Sequence, residues 1–176
     1  RTRVLYDDES AQLAGIPFEG EFRLIPPDGR ERWVVARGKT VGEPYGTRRM
    51  GVILDITARK RVEQALLESE ERFHNMADSA PVMIWMSGPD KVCNFFNKGW
   101  LDYTGRTAQQ EMENGWVEGI HPEDFEHCLE TYVEAFNDRR EFKMEYRLRR
   151  HDGQHRWILN HGVPRFNPDG TLAGYI

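Results

Sequence analysis

Six histidines, two cysteines and a surplus of carboxylates are the side chains here that could do chemistry. Metal binding needs ligands at short, recurring spacing. The histidines and cysteines show none, and His151 and His155 flank a turn where water would solvate them. Glu118, Glu123 and Asp124 could be read as an acid pair, but Glu123 and Asp124 suit the first turn of a helix. His74-Asn-Met-Ala-Asp78 imitates a phosphoacceptor histidine without the downstream proline of such a site. No Gly-rich nucleotide box, Gly-Gly-Asp-Glu-Phe loop or Walker loop occurs. The expectation is a regulatory chain and not an enzyme.

Composition narrows the class further. Lysine plus arginine number 24 and aspartate plus glutamate 29, for a net charge of −5. That balance argues against nucleic acid, which needs a clustered basic excess. The chain is 39% apolar and 11% aromatic, a globular composition too aromatic for disorder. Its longest apolar run, Pro81–Met86, is far below the roughly 18 residues of a membrane helix. Cys93 and Cys128 make no disulfide framework, so a reducing, cytoplasmic setting is expected. No signal peptide is visible. The start at Arg1 and the stop at Ile176 inside an apolar run read as a piece of something longer.

The chain repeats itself. Phe18–Thr47 aligns with Phe142–Thr171 at an offset of 124, with twelve identities in thirty positions. They include Glu21/Glu145, Arg23/Arg147, Asp28/Asp152, Gly29/Gly153 and Trp33/Trp157. Two copies of one domain are implied, the second nearly whole and the first lacking its N-terminal half.

Each repeat reads as strands. Phe142, Met144, Tyr146 and Leu148 alternate with polar residues, which is period two. Asp152-Gly153 is a hairpin turn, Arg156–Val163 the return strand, Pro168-Asp-Gly170 another turn. The first copy reads as strands 18–25, 32–41 and 49–56, with turns at Asp28-Gly29 and near Pro44-Tyr45-Gly46. Upstream in the second copy come strands over 82–86 and 91–96, then short helices around Lys98–Tyr103 and Ala108–Met112. Pro122 opens a longer helix in which Phe125, Cys128, Leu129, Tyr132, Val133 and Phe136 share a face. The plan is α+β, an antiparallel sheet with helices on one face.

Residues 57–76 contain no Gly or Pro and predict one helix, with Thr57 as its N-cap. Val62, Leu66, Phe73 and Met76 make a stripe too thin for a domain core, which suits a two-helix seam. A solvated spacer helix is the alternative. On the return strand, Trp157, Leu159, His161 and Val163 share one face. His161, and Arg37 at the matching place, keep that face out of the deep core, so the linker helix or a partner subunit should cover Trp157.

E-Y-R-L-R-R-H-D-G-Q-H-R-W-I-L (145–159), F-F-N-K-G-W-L-D-Y-T-G-R (95–106), I-H-P-E-D (120–124) and D-I-T-A-R-K-R-V-E-Q-A-L-L-E-S-E-E-R-F (55–73) carry a resemblance. The sequence resembles the PAS family, in its PAS fold-3 type with trailing PAC segment. The resemblance implies a five-stranded antiparallel sheet cupped by helices, in a cytosolic sensory and dimerisation module of a bacterial signalling protein. The parent is expected to be a histidine kinase or, alternatively, a diguanylate cyclase. The domains are then the C-terminal half of a first PAS domain over 1–56, a helical signalling linker over 57–76 and a second PAS domain over 77–176. Asp55 and Thr57 are the expected signal-transmission residues. Val62, Leu66, Phe73 and Trp157 are the expected seam of a homodimer.

Family architecture also implies a ligand pocket between sheet and helices. The candidates are Phe95, Trp100, Tyr103, Leu129, Tyr132, Tyr146, Ile158 and Asn160, with Trp85 or Ile84 beside them. Asn160 is the most informative, since a buried amide needs partners. The alternative is that these groups fill the core of a ligand-free scaffold. Haem is disfavoured: His127 lies about 160–200° around its helix from the apolar face. Covalent flavin is disfavoured too, because Cys93 falls in a strand before the entry helix. No metal is expected, and the ligand is unnamed.

Overall fold

The computed structural model describes residues 17–43 and 46–176. Pro44 and Tyr45 of the expected turn lie outside these residues, as do residues 1–16 of the expected first domain. The chain forms two compact units that divide at Glu70/Glu71.

The first unit carries β1 (Phe18–Leu24), β2 (Arg32–Glu43) and β3 (Gly46–Asp55), antiparallel in that order. Helix α1 (Thr57–Ser79) follows and continues past the division. It runs three residues beyond the expected end, stopping just before Pro81. Thr57 is its first residue rather than its cap. Asp55 Oδ1 accepts the Thr57 N–H at 2.8 Å, while the Thr57 hydroxyl oxygen accepts the Trp33 N–H at 2.9 Å. The hydroxyl is thereby committed to β2, and Asp55 caps the helix in its place.

The second unit carries β4 (Trp85–Ser87), β5 (Cys93–Phe96), α2 (Lys98–Thr104), α3 (Ala108–Glu111) and a 3₁₀ turn (Gly115–Gly119). Then come α4 (Phe125–Asp138), β6 (Phe142–Arg149), β7 (His155–Gly162), β8 (Pro164–Phe166) and β9 (Leu172–Tyr175). The strands pair as a four-stranded sheet, β5-β4-β9-β8, and a hairpin, β6-β7. This differs from one continuous five-stranded sheet. The return strand changes partner at Val163, which exchanges both backbone hydrogen bonds with Ile176 at 2.7 and 3.0 Å. Pro164 follows, and without an N–H it cannot continue the ladder to β6.

The repeat is structural. Phe18 faces Gly38 and Leu24 faces Arg32; Phe142 faces Gly162 and Leu148 faces Arg156, a register displaced by 124 at every pair. Gly29 and Gly153 have φ of +73° and +80°. Their N–H groups donate to Pro26 O at 2.9 Å and Arg150 O at 2.8 Å, again 124 apart.

The core of the second unit lies between its sheets and α4. Trp85, Phe96, Trp100, Tyr132, Phe142, Tyr146 and Tyr175 are all buried in it. Helix α4 starts three residues after Pro122, with Asp124 at its N-cap and the Asp124 side chain engaged elsewhere. Its carboxylate makes no capping bond and accepts instead from the Arg147 backbone and guanidinium at 2.7–2.9 Å. At the far end of α4 the Tyr175 hydroxyl sits 2.7 Å from Ala135 O and 2.8 Å from Arg140 O.

Gly153 needs its positive φ, a region closed to β-branched side chains. Gly153→Val should therefore lower the stability of the second unit by about 1 kcal/mol or more. Urea unfolding followed by tryptophan fluorescence measures it, and an unchanged midpoint would count against the turn.

Candidate functional site

Asn97 organises the approach to the core. It is fully buried, and its amide makes all four of the hydrogen bonds open to it. Nδ2 donates to Ala77 O at 2.8 Å and Val82 O at 2.9 Å. Oδ1 accepts from the Ile84 N–H at 2.8 Å and the Trp100 N–H at 3.1 Å. One side chain thus ties the end of α1, the approach to β4 and the first turn of α2. These bonds explain why β4 begins at Trp85 and not at Val82. Beside it, Asp78 Oδ1 accepts the Lys98 N–H at 2.7 Å.

Beneath this hub is a cavity of about 10 Å³, counted as room for the centre of a water molecule. That is space for about one water. Trp85, Cys93, Phe96, Trp100, Trp116, Tyr132, Met144, Tyr146 and Asn160 line it. Of the expected pocket residues, Trp100, Tyr132, Tyr146 and Asn160 are brought together here. Asn160, half-buried, accepts at Oδ1 from the Trp85 indole at 3.0 Å, which supplies its amide with a partner. Leu129, Ile158 and Tyr103 pack against the core without lining the cavity. Phe95 faces elsewhere, with its ring 5.1 Å from Phe73 and 5.4 Å from His74. The cause is a bulge: Met86 pairs with Phe95 but Ser87 with Cys93, so Cys93 and Phe96 both turn inward.

Sequence reasoning missed the polar floor of this site. Glu111 is 2% exposed, accepts from the Trp100 indole at 3.2 Å and pairs with Arg106 Nε at 2.8 Å. Arg106 reaches Glu118 at 2.9 Å and Gln110 O at 2.8 Å. Only the Thr107–Gln110 capping box was visible as a local signal in this stretch. Trp116, on the 3₁₀ turn, was also overlooked.

Burial governs the titratable groups. It pushes the thiols of Cys93 and Cys128 up to about 12 and raises the phenols of Tyr132 and Tyr146. Thiols so held are protonated at neutral pH and are poor nucleophiles. His127 is exposed on α4. Among the described residues no three His, Cys, Asp or Glu side chains cluster to hold a metal, and no helix is long and apolar enough to cross a membrane. Arg147 holds Asp124 well below its ordinary carboxylate value, chiefly by side-chain hydrogen bonding.

Antiparallel strands, short helices and one longer helix around an aromatic core define an α+β domain. Residues 94–176, just under half of the chain, match the family described as PAS fold. An uncharacterized protein, y4lL, of Sinorhizobium fredii is 38% identical over 164 residues, covering 92% of this chain and 20% of that protein. Two-component sensor PprA of Pseudomonas aeruginosa is 30% identical over 139 residues, covering 76% of this chain and 15% of that protein. The chain therefore spans a fifth or less of the length of these curated relatives. The crystal structure of a PAS domain from Colwellia psychrerythraea superposes with a TM-score of 0.51 at 20% identity, over 60% of this chain and 89% of that one. An RNA-binding light-oxygen-voltage receptor gives 0.51 at 13% identity, over 98% of this chain and 80% of that one. At these identities the two structures show the fold alone.

Asn97→Ala would remove the partner of the half-buried Ile84 N–H and of the Val82 carbonyl, and leave a void beside Trp100. The expected cost is about 3 kcal/mol or more, read as a lower urea midpoint for the second unit. A change under ~1 kcal/mol would remove Asn97 from its central place.

Asp124 also sets an acid dependence. Its folded pKa lies below its ordinary value of 3.8. Its contribution is therefore complete above about pH 5 and is lost as pH falls through 3.8 toward the depressed value. Asp124→Asn should be less stable at neutral pH and lose less stability between pH 5 and 3 than the parent. Parallel acid-unfolding curves for the two proteins would contradict the assignment.

Proposed function

We propose that this chain is a sensory and dimerisation segment of a cytoplasmic signalling protein of the histidine kinase type, with no catalysis of its own, and that α1 is its relay. The observation that carries the reading is the way α1 is held. Its start is fixed to β2 through Thr57 and its end to the second unit through Ala77 and Asp78. Between these points Val62 and Leu66 are 70% and 59% exposed. A helix fastened at its ends, with apolar side chains facing water between them, suits pairing with its counterpart in a homodimer. Phe73 has a smaller part in that seam than Leu66, because its ring already packs on Phe95. Trp157, 66% exposed on the outer face of β7, is a second place for a partner or helix to cover. Asp55 and Thr57 remain the residues through which a change would leave the first unit. The names of two relatives, a two-component sensor and a peroxide stress-activated histidine kinase of Schizosaccharomyces pombe, support the kinase-type parent over a diguanylate cyclase.

The cavity favours a second reading for the core. Space for about one water suits a scaffold filled by its own side chains better than a pocket for a haem, a flavin or another sizeable ligand.

Leu66→Glu tests the relay and seam. The charge would enter a helix pair and no domain core, so dimer mass in sedimentation at micromolar concentration should fall while the urea midpoint of the second unit holds. Equal dimer mass for variant and parent would leave α1 a plain spacer.

A further inference from the structure

We propose that Glu21, Trp33 and Lys60 form a clasp that fixes the rotation of α1 where it leaves the sheet, separately from the bonds of Asp55 and Thr57. The inference rests on the reading of α1 as a relay and names the side chains that aim it.

The geometry is local to the first unit. Lys60 Nζ lies 5.4 Å from the centre of the Trp33 ring and 2.8 Å from Glu21 Oε2. Arg59 pairs with the other oxygen of Glu21. Arg23 lies over the same ring at 5.6 Å. Thr57 and Lys60 are three residues apart, so they share the helix face that meets β2. The two cations lower the carboxyl pKa of Glu21, and Glu21 in turn raises that of Lys60.

The bonds of Asp55 and Thr57 hold a point on the helix. They leave the helix able to turn about that point. Lys60, one turn further on, supplies the second point that stops rotation. At about 100° per residue, Val62 and Leu66 fall roughly 200° and 240° around from Lys60. With Lys60 held against Trp33, these two side chains are aimed away from the sheet. Releasing Lys60 lets them swing, so the clasp determines where the apolar stripe points.

The test is hydrogen–deuterium exchange of the whole chain in three forms beside the parent: Lys60→Glu, Glu21→Lys and the double exchange Glu21→Lys/Lys60→Glu. Lys60→Glu sets like charges against each other at Glu21 and removes the cation from the indole. Exposed pairs are individually weak, but a reversed one with a lost cation–π contact should be measurable. Exchange of amides 60–64 should rise about fivefold in each single variant. The double variant restores the 21–60 ion pair but not the cation on the indole, so it should recover part of the protection, and strands β1–β3 and the second unit should be unaffected throughout. Protection unchanged in Lys60→Glu, or a double variant as fast as the singles, overturns the clasp. Exchange at dilutions where the chain is monomeric keeps this result independent of the seam. A clasp without a dimer would count against the relay reading alone.

Discussion

The second unit depends on one buried carboxamide. Asn97 has no exposed surface and meets four backbone groups from three separate stretches of chain. Two of those groups, the Ile84 N–H and the Val82 carbonyl, take their side-chain partner from Asn97 alone beside an aromatic core. Because the bonds are directional, they fix geometry as well as energy. The end of α1 cannot shift without disturbing β4 and α2, and those elements carry Trp85 and Trp100 into the cavity wall.

The electrostatic layer around that core is built from arginines with defined acidic partners. Arg106 closes the floor on Glu111 and Glu118, and Arg147 grips Asp124 and Glu123 while lying 5.2 Å from the Trp157 ring. Arg23 and Trp33 repeat that last stack in the first unit at 5.6 Å. The Arg–Trp stack is thus preserved in space as well as in sequence, on the outer face of both hairpins. In the first unit a lysine from the helix completes it.

Hairpins and helix type were legible in the residues because both depend on local pattern. Alternation put Met144 and Tyr146 inward, and Asp-Gly located the turns. The site was legible in part. Trp100, Tyr132, Tyr146 and Asn160 could be assigned to the interior from their chemistry. Phe95 could not be separated from Phe96, because a single extra residue in β5 reverses which faces inward and leaves no local mark. Glu111 was invisible for a different reason: its partners lie on other elements, and only the folded chain brings Arg106 and Trp100 to it. Asn97 stood inside the F-F-N-K-G-W motif, yet its role rests on carbonyls some 15 and 20 residues upstream.

Two hairpins of identical register pose a kinetic problem. While the chain folds, β1 meets two strands with nearly the same pattern, β2 and β7. Pairing with β2 closes a loop of seven residues, whereas pairing with β7 closes one of 130, counted between Leu24 and His155. Four doublings of loop length separate the two, a difference of about 2.5 kcal/mol in closure entropy. The correct partner is favoured on the order of fiftyfold before any side chain discriminates. The tight Asp-Gly turns therefore act on folding order as well as on shape, by letting each strand find its own mate before it can reach the duplicate.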